Sequence, residues 1–373
     1  MPWNTKGIMS LREEFIIRVQ EDLTSISHLC REYGISRKTA YKWLKRYSEE
    51  GILGLEDRSK RPCCMPSKSR DQFFDLIIST RNKYPAWGAK KLRQILLNEG
   101  HIELPSLSTF NRILQEGGQF STTNSEKRKA YIRFEREKPN ELWQMDFKGH
   151  FPTPESECHP LTILDDCSRY AICLKACASE NEEVVRSGLE EAFRKYGLPD
   201  AMTMDNGSPW KGYPGQRLSR LTVWLMRLGI KISHSRPRHP QTQGKDERFH
   251  RTFKEEVLKY HNFQSLSKAQ EHFDEWKELY NTVRPHEALN MLCPAEKYRV
   301  SSKTFNEKLP LIEYLPEDVV VKVASNGVIC FQGRLYQVGK PLRGEYVALR
   351  SVKDKEWDIY YLNSRLCRFR PKM

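Results

Sequence analysis

Three carboxylates in this 373-residue sequence stand where a carboxylate needs an explanation. Asp146 falls in WQMDF, mid-strand among apolar residues, where an unpaired charge is costly to bury. Asp205 falls in AMTMDNG, at the carboxyl end of a strand, where open α/β sheets place ligand-contacting residues. Glu247 falls in GKDERFHRTFKEEV, on a helix crowded with bases. Taken singly, Asp205 reads equally as a turn residue, Asp146 as an edge-strand charge, and Glu247 as part of a solvated helix face. Taken together, two acids on strands and one on a helix can bind two divalent cations, because clustered carboxylates repel and a metal pair stabilises their ionised forms. Such a pair serves in-line phosphoryl displacement, one ion activating the attacking oxygen and the other stabilising the leaving oxygen. Hard oxygen ligands favour Mg²⁺, with Mn²⁺ as a substitute.

The elements that must position these acids are written in the hydropathy pattern. LWQMDF, LTILDD and YAICLKA read as three consecutive strands. Ser179 and Glu182 form an S-x-x-E cap pattern, after which Val185, Gly188, Leu189, Ala192, Phe193 and Tyr196 mark one face of a helix ended by Gly197. A strand ending at Asp205, a helix in RLTVWLMRLG, a strand in IKISHS and the Glu247 helix follow, which is the order of a mixed α/β sheet flanked by helices. On the last helix Phe249, Phe253 and Val257 form the buried stripe. Glu247 then points away from it together with His250, Arg251 and Lys254, with Arg248 as a further base on the same helix, while Glu255 and Glu256 are read as surface acids.

Upstream, SISHLCREYGISRKTAYKWLKRY has the layout of a helix-turn-helix, with Ser36 as cap and Ala40, Trp43, Leu44 and Tyr47 inward. That leaves Ser36, Arg37, Lys38, Thr39, Lys42, Lys45 and Arg46 to face a DNA groove or, in the plainer reading, solvent. Residues 1–60 form this unit. A Pro-interrupted linker leads to a second helix-turn-helix-like unit over 61–118, where Lys90, Lys91 and Arg93 are the candidate DNA contacts, and a basic connector spans 119–138. The α/β segment covers 139–300. Residues 311–373 read as a small β barrel or sandwich with an Asn326-Gly327 hairpin signal.

The balance of 62 Lys and Arg against 48 Asp and Glu gives a net charge of +14 and favours a polyanionic partner. No apolar run is long enough to span a membrane, and Met1 to Ser10 lacks the apolar stretch of a secretion signal, so the expectation is a cytoplasmic protein, nucleoid-associated when bound to DNA. The ten cysteines include no C-x-x-C and read as reduced core residues.

WQMDF, LDDCSRY, MDNGSPW, RPRHPQTQGKDERFHRTFKEEV and YNTVRPHEALNMLCPAEKY, in this order, resemble bacterial insertion-sequence transposases with a retroviral-integrase-like core. The resemblance implies a multidomain chain: all-α helix-turn-helix units, a ribonuclease-H-like mixed sheet and a C-terminal β domain. It implies that Asp146, Asp205 and Glu247 are the catalytic, metal-binding triad of a DDE transposase using two Mg²⁺ ions. It also places Asp165 and Asp166 in a structural turn, although adjacent acids near the sheet edge remain alternative ligands. In RPRHPQTQGK it assigns Arg236, Arg238, His239, Gln241, Gln243 and Lys245 to the DNA backbone, and a solvated loop is the alternative. The step from Asp146 to Asp205, 205 − 146 = 59 residues, fits the family, whereas 247 − 205 = 42 is longer than its commonest spacing, with the extra residues in SPWKGYPGQRL. The implied activity is Mg²⁺-dependent nicking of element ends and 3′-hydroxyl strand transfer, with double-stranded DNA at element ends and target as partner. A homodimer or larger synaptic complex is implied, and a catalytically inactive DNA-binding regulator of the same family is the alternative.

Overall fold

The computed structural model describes residues 8–58, 68–118, 135–205, 207, 210, 218–234, 244–352 and 356–370. The chain falls into two compact units, 1–67 and 68–373. The first is built from α1 (Ile8–Gln20), α2 (Ile26–Glu32) and α3 (Arg37–Glu50). Phe15, Ile16, Leu29, Ala40 and Leu55 close its core. Ser36 caps α3 as its sequence position predicts, its Oγ accepting from the Thr39 N–H at 3.1 Å.

The second unit opens with α4 (Lys68–Lys83), α5 (Ala89–Asn98) and α6 (Leu107–Glu116), packed around Ile77, Leu92, Phe110 and Ile113. Leu279 and Val283 from further down the chain join that core, so these helices pack directly on the α/β segment.

The central sheet contains β1 (Trp143–Phe147), β2 (Phe151–Pro152), β3 (Glu157–Asp165), β4 (Ala171–Cys177), β5 (Ala201–Met204) and β6 (Lys231–His234). β1 pairs antiparallel with β3, which pairs antiparallel with β4. On its other edge β1 pairs parallel with β5, which pairs parallel with β6. Side chains alternate across the pleat. Trp143, Met145, Leu161 and Ile163 therefore face α7 (Glu182–Tyr196) and α8 (Arg220–Arg227). Leu164 and Leu174 face α9 (Gly244–Phe253) and α10 (Leu266–Thr282), against Phe249, Phe253, Phe273 and Trp276. Even-numbered β1 residues, Gln144 and Asp146, share this second face. The cap of α7 is Asn181, whose Oδ1 accepts from the Val184 N–H at 2.9 Å, and not the expected Ser179.

A short helix, α11 (Pro294–Lys297), closes the α/β segment. Beyond it β7 (Val319–Lys322), β10 (Tyr346–Ser351), β11 (Trp357–Tyr361) and β12 (Ser364–Phe369) make an antiparallel sheet, and β8 (Val328–Phe331) pairs with β9 (Arg334–Gln337). The expected hairpin signal at Asn326-Gly327 is displaced. The hairpin turns at Gln332-Gly333, both at positive φ (51° and 74°), the conformation that suits a two-residue hairpin loop. Gly327 answers a different need, since a Cβ there would lie 2.5 Å from the Gly339 carbonyl carbon. Val223 of α8 enters the core of this β unit. The described cysteines are all free; Cys330 and Cys367 are exposed and so depart from the expected core placement.

Candidate active site

Asp146 lies near the end of β1, directly opposite Thr162 of β3. It is half-buried, and its Oδ1 accepts from the Phe147 N–H at 2.9 Å. Burial, followed by the Asp205 charge, pushes its carboxyl up to about 7, with Glu180 and Glu247 adding smaller repulsions and the Phe147 N–H opposing them. Asp205 directly follows β5, where its Oδ1 accepts from the Gly207 N–H at 2.9 Å. A side chain at Gly207 would crowd that carboxylate, its Cβ 3.0 Å from Asp205 Oδ2. His234 of β6 donates from Nδ1 to the Asp205 carbonyl at 2.9 Å, tying the end of β5 to its neighbour. Glu247 is exposed in the first turn of α9.

The three acids are thus near enough for charge to act between them. Among the described residues no group of three or more His, Cys, Asp or Glu side chains is already arranged to hold a metal ion. The donor set nevertheless fits a hard cation, being carboxylate oxygens, with the Asp146 carboxyl raised first by burial and then by the Asp205 charge.

His250 departs from the outward orientation that the helix wheel assigns. It is buried, with Nε2 2.8 Å from Thr162 Oγ1, while that hydroxyl donates to the Asp146 carbonyl at 2.9 Å. Because the hydroxyl proton is committed to the carbonyl, His250 donates from Nε2, and its Nδ1 faces Asp146 Oδ2 at 4.0 Å. Burial, with a smaller effect from Lys148, pushes the imidazole down to about 3, so it is neutral. Its position is one residue from Phe249 and three from Phe253, roughly 100° and 60° round the helix, which puts it on the flank of the stripe. α9 is buried across that flank as well as along the stripe.

Lys245, assigned to DNA from its sequence context, has its ammonium 2.5 Å from Asp166 Oδ1. Asp166 is fully buried and also accepts from Gln144 Nε2 at 2.7 Å and the Arg136 N–H at 2.8 Å. Asp165, equally buried, accepts from the Asn140 N–H at 2.7 Å and from the Ser168 N–H and hydroxyl at 2.8 and 2.6 Å. Both acids brace the β3–β4 turn, the structural role that the resemblance assigns them. Asp246, which the sequence reading passed over, is fully buried with neither carboxylate oxygen hydrogen-bonded among the described residues, and burial raises its carboxyl well above the usual range.

Glu256 is a further correction. Glu256, seven residues after Phe249 and so only about 20° from it on a helical wheel, turns in to Arg284 Nε at 2.8 Å and Trp276 Nε1 at 3.0 Å, where the helix is π-helical over Lys254–Leu258. Glu255, Arg248, Arg251 and Lys254 are exposed. In the second helical unit, Lys90 pairs with Glu287 at 3.5 Å, Arg93 donates to the Pro105 carbonyl at 3.1 Å, and burial pushes Lys91 down to about 8. Lys90 and Arg93 thus have partners within the protein, and Lys91 is largely enclosed. On α3, Arg37, Lys38, Lys42 and Lys45 are exposed, and Lys42 and Arg46 lie over the Trp43 ring. Arg236, Arg238, His239, Gln241 and Gln243 lie outside the described residues.

Residues 136–240 and 228–294, which between them contain Asp146, Asp205 and Glu247, match two family models each described as an integrase core domain. Over these residues the chain is similar to integrase core domains. Ahead of that core, residues 11–62 match a helix-turn-helix domain and 39–114 a homeodomain-like domain. Behind it, residues 318–369 match the C-terminal domain of IS481 family transposases. The chain is 28% identical over 252 residues to an uncharacterised 31.7 kDa protein of insertion element IS407 from Burkholderia multivorans, covering 66% of this chain and 87% of that protein. It is 24% identical to the transposase of transposon Tn552 from Staphylococcus aureus, covering 92% and 79%. The integrase core also aligns with the HTLV-2 integrase catalytic core domain solved with magnesium, at 15% identity and TM-score 0.34, covering 44% of this chain and 99% of that one. No helix among the described residues is long and apolar enough to cross a membrane.

Proposed function

We propose that this protein is a DNA transposase that nicks the ends of its own element and joins the freed 3′-hydroxyl to target DNA. The observation that carries the reading is the similarity of residues 136–294, which include Asp146, Asp205 and Glu247, to integrase cores, behind a segment similar to helix-turn-helix domains. Asp146, Asp205 and Glu247 would hold Mg²⁺. When bound, the metal supplies Lewis-acid stabilisation of the oxygens entering and leaving phosphorus. Asp146, whose carboxyl is raised to about 7 by burial and then by Asp205, would hold the metal as the carboxylate. In nicking, water forms the new bond to phosphorus as the 3′ oxygen leaves; in joining, that 3′-hydroxyl attacks a target phosphodiester and expels another 3′ oxygen. The exposed bases Arg248 and Arg251 on α9 and Lys254 at the start of the π-helical turn are suited to the phosphates flanking the reacting one, and the α3 bases to the terminal sequence. A complex holding two ends requires a dimer or larger assembly.

The test is incubation of the full chain with labelled element ends and Mg²⁺. Sequence-specific 3′-end joining that disappears in Asp205→Asn supports the proposal. Tight, specific binding without strand breakage under any divalent metal would identify a DNA-binding regulator instead.

A further inference from the structure

Asp166 reaches both halves of the candidate metal site through residues two positions away from its acids. Gln144 precedes Asp146 by two on β1 and shares its face of the sheet; Lys245 precedes Glu247 by two at the start of α9. Both donate to the same atom, Asp166 Oδ1, at 2.7 and 2.5 Å. Lys245 makes a second bond to the Asp166 carbonyl at 3.1 Å. Asp166 Oδ2 takes the Arg136 N–H at 2.8 Å, and its own N–H donates to Leu142 at the start of the same edge. The carboxylate is fully buried, where an ion pair has few alternative partners and one geometry is strongly preferred.

We propose that Asp166 is a positioning residue that sets the distance between Asp146 and Glu247, with Lys245 and Gln144 as its two arms. The proposal rests on the metal-dependent reading above and deepens it. β1 and α9 are far apart in sequence, and Glu247 is exposed in the first turn of its helix, so packing of Phe249 and Phe253 leaves the helix start to be fixed by polar contacts. Lys245 supplies that contact.

The arms make opposite predictions to simple electrostatics. Neutralising a cation beside an anionic site tightens metal binding by charge alone; releasing the start of α9 loosens it.

The experiment is Mn²⁺ binding to the full chain, followed by electron paramagnetic resonance, for the wild type, Lys245→Gln, Gln144→Met and Ser168→Ala, with thermal melting of each. Ser168→Ala removes a hydroxyl from the neighbouring Asp165 in the same turn and controls for simple loosening. Lys245→Gln and Gln144→Met should each raise the Mn²⁺ dissociation constant by about tenfold or more, the usual size of such indirect effects, while Ser168→Ala leaves it unchanged. Gln144→Met alters no charge and stands as the test if Lys245→Gln does not fold. Binding as tight as wild type, or tighter, in the folded variants overturns the proposal and leaves the transposase reading intact. A wild-type chain that binds no Mn²⁺ overturns both.

Discussion

His250 Nε2 and Thr162 Oγ1 meet at 2.8 Å across the face of the sheet that carries Asp146. The bond sits in a chain, imidazole to hydroxyl to the Asp146 carbonyl, in which each group has one available role. Thr162→Val keeps the shape and removes the hydroxyl, leaving a buried imidazole N–H without an acceptor. The expected loss is about 1–3 kcal/mol in urea unfolding. His250→Gln, which can still donate, should lose less; equal losses would mean that packing, and not the donor, is what matters. The imidazole also sets a pH dependence. Its folded value of about 3 lies below the ordinary 6.5, so the unfolded chain takes up the proton first. Stability should fall as pH drops from about 6.5 towards 3, and fall less in His250→Gln.

Asp146 gives the opposite sign. Its carboxyl is raised from 3.8 to about 7, so the folded, metal-free chain holds the proton more tightly than the unfolded one. This contribution is neutral in its effect below pH 3.8 relative to Asn and becomes a penalty as pH rises through 7. Metal-free Asp146→Asn should therefore melt higher than wild type at pH 8, by a few kcal/mol in order of magnitude, and match it at pH 4. Adding Mg²⁺ should raise the wild-type melting point and leave the variant nearly unmoved, since only a ligand that binds the folded state stabilises it. Chelation should reverse the gain. A metal-free variant that melts below wild type at pH 8 would contradict the placement of Asp146 in an anionic cluster.

Glu256 and Arg284 hold each other at 2.8 Å with both side chains under a tenth exposed. Removing one partner strands the other charge in the interior. Glu256→Gln should cost about 3–5 kcal/mol, whereas Glu256→Gln with Arg284→Met should recover much of it, because replacing a buried pair is far cheaper than breaking one. A double-mutant cycle by chemical denaturation measures the difference. Purely additive losses would show that the two residues are not coupled.

The elements around the site are legible in the sequence wherever one face is buried and the other is not. WQMDF alternates apolar and polar residues although both its faces are covered, and Phe249, Phe253 and Val257 recur every four residues and are all buried. What the pattern hides are polar residues inside contacts from more than one side. His250, Asp246, Lys245 and Glu256 carry the chemistry of a solvated helix face although at roughly 100° per residue each falls within about 40° of a stripe residue, and their polarity conceals that α9 is covered by β1, β3, the β3–β4 turn and α10 together. The π-helical turn at Lys254–Leu258 is equally hidden, since a wheel assumes a constant rotation per residue. Lys90 and Lys91 are ambiguous for a related reason: a base on an amphipathic helix serves DNA or a neighbouring acid, and the acid, Glu287, lies far away in sequence. For Asp165 and Asp166 the adjacency of two acids was ambiguous until their donors were placed.

That last distinction between bases is measurable through salt. Each lysine that neutralises a DNA phosphate contributes close to one unit to the slope of log affinity against log salt concentration, because it releases condensed counterions. Lys45 of α3 is exposed, with only a loose 3.8 Å approach to Glu49, and is available to a phosphate. Lys91 of α5 is largely enclosed near Arg284, Glu256 and Glu287, with burial lowering its affinity for a proton. Lys45→Met should reduce the slope for element-end DNA by about one unit and weaken binding on every sequence alike. Lys91→Met should leave the slope unchanged and alter thermal stability instead. Fluorescence anisotropy titrations at several salt concentrations, paired with melting curves, read both effects. Equal slope changes in the two variants would return Lys91 to the DNA interface and place its contacts within the protein second.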